Sequence, residues 1–224
     1  MFWQNVNFES RLENTRRLWF FYLAVMVVWT VFYGDLVHVQ MIAHDPWMSS
    51  HHEVLKWLSD NVMYGFYVFF VGILIWGYKS QQAQLRIIGW GYLLAQAIGS
   101  IFIVRTLKIM LGHARPDHLS QGANGVFDAW TGPSLSSAYN SFPSGHTCDY
   151  LTSCLFLAMC LPKAWMRILV ILLAVFNGAL RVILAKHFPV DVLGGVMIGG
   201  AISIGVWQYW ILPRLKAINL ESDS

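Results

Sequence analysis

The sequence predicts an all-α integral membrane protein, one bundle of six transmembrane helices, and three observations carry that expectation. Hydrophobic residues make up 56% of the 224-residue chain and charged residues only 12%, a balance foreign to soluble domains. Eleven Trp, nine Tyr and fourteen Phe exceed what a soluble core of this size carries, whereas membrane proteins use aromatics in the core and at both bilayer interfaces. Six apolar stretches approach the about 20 residues a spanning helix needs: roughly 18–37, 61–78, 87–107, 147–161, 166–187 and 190–212.

Six spans put both termini on one side, and charge says which. Arg11, Arg16, Arg17, Lys79, Arg86, Lys163, Arg167, Arg214 and Lys216 share one face, nine of the fifteen Lys and Arg, so that face and both termini are expected to be cytoplasmic. The first span, with no small-residue cleavage site after Tyr33 and Gly34, reads as a retained anchor. The other six cations, Lys56, Arg105, Lys108, Arg115, Arg181 and Lys186, fall at helix ends or loops of the opposite face, against the usual bias. Cations kept there need a reason.

The segments between spans are read in the same way. In residues 38–60, Val54, Leu55, Trp57 and Leu58 recur at helical spacing, which suggests a short helix lying in the interface beside a lipid entrance. Residues 117–142, with Gly122, Gly125, Gly132 and Pro133, have the chemistry of an outer loop. No repeat, low-complexity tract or linker divides the chain, so residues 1–224 are expected to form one domain. A net charge of +3, scattered instead of clustered, excludes a nucleic-acid partner. Cys148, Cys154 and Cys160, six residues apart, point in different directions on a helix and read as buried thiols.

Three polar groups recur at the outer ends of apolar spans, where an ionisable residue is costly and therefore informative. In KIMLGHARP, Lys108 and Arg115 would nearly share a face if the helix persisted through Gly112, and two cations aimed at one point suit a phosphate dianion. Snorkelling cations are the plainer alternative. In SFPSGHT, Pro143 and Gly145 shape a turn, and Ser144, His146 and Thr147 meet a helix start that offers backbone N–H groups to an anion. Capping by Ser144 or Thr147 explains part of this run but not His146.

In RVILAKHFPVD, His187 sits at the break before Pro189, and Asp191 is placed to hold its ring in one tautomer. Singly, His187 is also an ordinary interfacial histidine, and Asp191 an acid favoured by a helix N-terminus. Hydropathy and charge, taken alone, bring all three groups to one face. The remaining polar residues say less. His44, His51, His52 and Glu53 have metal-ligand chemistry but share one short polar loop; His113 and His118 are placed near a pocket mouth; Asp149, three residues past His146, reads as an acid favoured by the helix dipole.

These motifs resemble the signature of the type 2 phosphatidic acid phosphatase superfamily: K-x6-R-P, then P-S-G-H, then S-R-x5-H-x3-D. Lys108 and Arg115-Pro116 match the first part, Pro143 to His146 the second, and Arg181, His187 and Asp191 the third. Leu180 stands where the pattern has Ser, which removes one hydroxyl contact to phosphate.

The resemblance implies a lipid phosphatase of a bacterial inner membrane, with its site on the extracytoplasmic face. His187 would attack phosphorus, Asp191 would orient it, and His146 would protonate the leaving oxygen and then activate water. Lys108, Arg115, Ser144, Gly145 and Arg181 would hold the phosphoryl oxygens, with no cofactor and no metal. The histidine pair is expected at the outer ends of the fourth and sixth helices, beside the third. Undecaprenyl diphosphate, phosphatidylglycerol phosphate, phosphatidic acid and a lipid A phosphate all fit. A phosphotransferase passing phosphate to an acceptor lipid, and a non-catalytic lipid-binding or transport protein, are the alternatives. The soluble haloperoxidase branch shares the signature and binds vanadate, but it lacks spanning helices.

Overall fold

The computed structural model describes residues 7–119 and 124–222, so Gly122 of the expected outer loop lies outside the described residues. It is all helical, with no strand among the described residues beyond isolated bridges at His113. In chain order the helices are α1 (Phe8–Tyr33), α2 (Leu36–Ala43), α3 (Pro46–Lys79), α4 (Ala83–Gln96), a π-helical stretch (Ala97–Val104) and α5 (Arg105–Leu111). After the loop that follows α5 come α6 (Gly145–Cys160), α7 (Ala164–Ile183), α8 (Pro189–Val206), a second π-helical stretch (Trp207–Ile211) and α9 (Leu212–Ser222).

Five helices are long and apolar enough to cross a membrane: Phe8–Tyr33, Pro46–Lys79, Ala83–Leu111, Ala164–Ile183 and Pro189–Ile218. Their outward faces carry large apolar side chains such as Phe21, Val68, Phe102 and Leu172, each more than half exposed, as helices solvated by lipid require. The fourth expected span differs. Helix α6 has only 16 residues, about 24 Å at the α-helical rise, and twelve of them are buried. It is the axis of the bundle, wrapped by α7, α8, α1, α3 and α4. All three cysteines lie on it, buried as their spacing suggested.

The expected short interfacial helix around residues 54–58 is not a separate element. Asp45 caps α3 by accepting from the N–H groups of Trp47 and Met48, Pro46 opens it, and no Gly or Pro interrupts the chain before Gly65. The helix therefore runs unbroken for 34 residues, about 51 Å, well beyond the about 30 Å hydrocarbon thickness. The short element in this region is α2 instead, capped by Asp35.

Close approach of α8 to α6 sets the centre of the bundle. A Cβ at Gly195 would meet Ser144 O at 2.6 Å, and one at Gly199 would meet Cys148 O at 2.8 Å. Only residues without side chains permit this contact, the usual device for tight helix pairing in membranes. Around it, Tyr22, Met26, Tyr150, Leu151, Leu155, Val192 and Val196 form one apolar cluster, and Phe70, Tyr92, Phe156 and Trp207 stack in a second.

Candidate active site

The site is assembled where α5, α6 and α8 meet the loop between α5 and α6, and each helix terminus is shaped by its own residues. Gly112 adopts φ +57 and ends α5 after Leu111, a left-handed turn in which a Cβ would collide with Gly132 O. Lys108 and Arg115 therefore do not share a helical face, contrary to the expectation of a helix persisting through Gly112. Arg115 reaches the site on the irregular segment that follows. Its Nε donates to Ser137 O at 3.0 Å and one terminal nitrogen to Lys186 O at 3.4 Å, beside His187. Lys108 Nζ donates to Asn140 O (2.6 Å) and Ser141 O (3.2 Å), pinning the chain just ahead of the second motif.

Ser144 caps α6: its Oγ accepts from the Thr147 N–H at 3.4 Å, and its own N–H donates to Asp191 O at 2.8 Å. That last bond ties the start of α6 to the start of α8 and leaves Gly145 and His146 in the first turn. Helix α8 begins at Pro189, and Asp191, in its first turn, accepts from the Phe188 N–H through Oδ2 at 2.8 Å. Asp191 is thus both the cap of α8 and the centre of a buried polar cluster.

In that cluster Ser141 Oγ donates to Asp191 Oδ2 at 2.6 Å, and His187 Nδ1 lies 3.2 Å from Ser141 Oγ and 3.4 Å from Asp191 Oδ2. Because the serine hydrogen is given to the carboxylate, the serine oxygen accepts from Nδ1–H. This fixes the His187 tautomer with its lone pair on Nε2, which makes no hydrogen bond among the described residues. Burial pushes the His187 imidazole down to about 3, against the opposing pull of Asp191 and with the help of the Lys108 and Arg181 charges. At neutral pH the ring is uncharged.

A second histidine meets the same carboxylate. His113, wholly buried, has Nε2 2.8 Å from Gly125 O and Nδ1 2.8 Å from Asp191 Oδ1. The Nδ1–Oδ1 pair is at ion-pair distance without hydrogen-bond alignment, and neither atom has another hydrogen-bond partner. A carbonyl oxygen only accepts, so Nε2 carries hydrogen.

Arg181 and His146 meet on α3. One Arg181 terminal nitrogen donates to Asp60 Oδ1 (2.7 Å) and Ser59 Oγ (3.2 Å), and His146 Nε2 lies 3.5 Å from the same Asp60 oxygen. Arg181 is 6% exposed, and its Nε is buried without a hydrogen-bond partner, an open donor for an anion. Asp60 and Ser141 are residues that sequence reasoning did not assign, and His113, expected near a pocket mouth, is instead wholly buried against Asp191. An acid near the end of an apolar helix was a usable signal for Asp60, and Ser141 opens the SFPSGHT run. The structure does not join the residues weighed as a metal site: no cluster of three potential ligands occurs among the described residues.

The whole signature lies within a longer match to a known family, residues 85–213 corresponding to the PAP2 superfamily, more than half of the chain. The chain belongs to the PAP2 superfamily. As a PAP2 protein it is similar to the lipid A 1-phosphatase of Rhizobium etli, 32% identical over 135 residues, 57% of this chain and 56% of that protein. It is also similar to the lipid A 4'-phosphatase of Bacteroides thetaiotaomicron, 31% identical over 83 residues, 37% of this chain and 36% of that one. The putative undecaprenyl-diphosphatase YbjG of Escherichia coli is 29% identical over 166 residues, 73% of this chain and 75% of that protein. This PAP2 chain thus spans little more than half the length of the lipid A 1-phosphatase it matches. No solved structure matches it.

Proposed function

We propose that this PAP2 protein is an integral membrane lipid phosphatase that hydrolyses a lipid phosphomonoester or diphosphate through a phosphohistidine on His187. The observation that carries the reading is the tautomer of His187: Nδ1 is held by Ser141 and Asp191, and Nε2 is left with a lone pair and no partner.

In the first step the Nε2 lone pair attacks phosphorus, the bond from phosphorus to the lipid oxygen breaks, and His146 gives that oxygen a proton. The ring of the resulting phosphohistidine carries positive charge, which the Nδ1–H contact with Ser141 and Asp191 offsets. In the second step His146 removes a proton from water, the water oxygen bonds to phosphorus, and the N–P bond breaks to release inorganic phosphate. Lys108, Arg115 and Arg181, with the Ser144 hydroxyl and the first-turn N–H of Gly145, are assigned to the phosphoryl oxygens. Three fixed cations supply the charge neutralisation that divalent ions give in other phosphoryl transfers, which supports a metal-independent reaction.

In the same reading α6 is a sixth crossing, both termini are cytoplasmic, and the site opens on the extracytoplasmic face of a bacterial inner membrane. The distribution of nine cations on the opposite side supports this. The relatives' names put a lipid A phosphate and undecaprenyl diphosphate ahead of phosphatidylglycerol phosphate and phosphatidic acid. Phosphate release from these four lipids, measured in detergent with excess EDTA, tests the proposal. Turnover of at least one lipid is expected. Release from none, or release abolished by EDTA, contradicts it; label passed to an acceptor lipid in place of water identifies a phosphotransferase.

A further inference from the structure

Asp149 is an acid that the mechanism does not use. It lies one turn past His146 on the most buried helix of the bundle. No Lys, Arg or His approaches it to ion-pair distance among the described residues. Its neighbours are hydroxyls: Ser100 Oγ donates to Asp149 Oδ1, and the Tyr67 hydroxyl lies beside it. Ser100 belongs to the π-helical stretch Ala97–Val104, a widened helical geometry that recurs at functional sites.

Two cavities, of about 440 and about 450 Å³, share Asp149, Ser100 and Arg105 as wall. The first also touches Lys108 and Gly145, the phosphate-holding residues of the proposed reaction. The second continues past Gln96 and Tyr67, with Val71, Leu93 and Ile101 as apolar lining. The two form a groove whose shared wall carries Arg105 and the Asp149 carboxylate, with Lys108 at one end and apolar side chains at the other.

A carboxylate has about four acceptor positions, and the Ser100 hydroxyl fills only one of them. A hydrocarbon laid along this wall would strip water from Asp149 without replacing its hydrogen bonds, whereas a ligand hydroxyl or amide N–H would complete them.

We infer that Asp149 and Ser100 form a headgroup subsite that recognises a hydroxyl or amide N–H donor lying a few bonds from the substrate phosphorus. The subsite selects donor-bearing lipid phosphates, such as acylated amino-sugar phosphates, over polyprenyl phosphates, which carry no donor between phosphorus and hydrocarbon. The inference rests on the phosphatase reading above. Asp149 is assigned no part in the chemical steps, only in the choice of substrate.

The test compares phosphate release from an acylated glucosamine 1-phosphate lipid and from undecaprenyl diphosphate by the wild-type protein and by Asp149→Asn. The substitution should lower kcat/KM for the sugar lipid by about ten- to a hundredfold, the loss of one charge-assisted hydrogen bond, and change that for the polyprenyl lipid less than about twofold. Equal losses on both lipids, or none on either, overturn the subsite while leaving the phosphatase reading intact. A wild-type protein that releases phosphate from neither lipid, but from phosphatidylglycerol phosphate or phosphatidic acid, overturns the subsite alone; release from none of the four overturns both. Should Asp149→Asn fail to fold, Ser100→Val, which removes the hydroxyl and fills the groove, decides by the same selectivity: a loss confined to the sugar lipid is expected, and an equal loss or none overturns the inference.

Discussion

His113 Nδ1 lies 2.8 Å from Asp191 Oδ1, and both side chains are fully buried. The carboxylate is therefore held on two sides, by His113 through Oδ1 and by Ser141, the Phe188 N–H and His187 through Oδ2. A carboxylate fixed in this way cannot rotate, and its hold on the His187 ring becomes a fixed geometry.

His113→Ala removes one of those holds and leaves a buried carboxylate oxygen without a counterpart. The expected cost is about 3 kcal/mol of stability, seen as a melting temperature lowered by roughly 5–10 °C. kcat should fall with KM nearly unchanged, because in the proposed reaction the lost contact orients the nucleophile and does not touch phosphate. His113→Gln, which keeps a donor toward Asp191, should recover part of both. Melting curves and steady-state kinetics of the two variants check this, and equal behaviour of Ala and Gln would contradict the orienting role.

Asp60 Oδ1 is shared by Arg181, at 2.7 Å, and His146, at 3.5 Å. In the proposed reaction it would orient the proton donor while competing with phosphate for the arginine. Asp60→Asn should therefore act in opposite directions on two constants. Inorganic phosphate should inhibit at lower concentration, and kcat should fall roughly tenfold or more as His146 loses its charged partner. Product inhibition and turnover measured on one preparation separate the two.

Stability should depend on pH through His187. Its pKa falls from the ordinary 6.5 to about 3 in the folded protein, with burial as the main cause. The unfolded chain thus binds a proton that the folded chain refuses between those values. The stability associated with the neutral buried ring is complete above about pH 6.5 and is lost progressively as pH falls toward 3. Melting temperatures of wild type and His187→Gln, measured between pH 7.5 and pH 5, should converge or cross as the pH drops, since glutamine does not titrate. A constant gap between them across that range contradicts the assignment.

How far the sequence could be read depends on how local each feature is. Lys108, Arg115, His146, Arg181, His187 and Asp191 stand at fixed spacings near helix termini, and hydropathy places those termini at one end of the bundle. Ser141 and His113 act through contacts with Asp191 that span 50 and 78 positions, taken from their residue numbers, and no periodicity records such pairings. Asp60 was hidden for a related reason: the segment before it looked like a separate interfacial helix, whereas the absence of a breaker lets α3 carry Asp60 directly to Arg181. Helix ends were the other weak point. Gly112 stops α5 because its backbone turns left-handed under Gly132 O, a tertiary contact, so Lys108 and Arg115 converge through a loop and not along one face.

The central claim is that His187 is the nucleophile, and phosphate release by His187→Ala tests it most directly. A variant that folds and melts as a cooperative unit should lose about a thousandfold or more of kcat, the scale seen when a nucleophile is removed from a preorganised site. Turnover within tenfold of wild type would contradict the account.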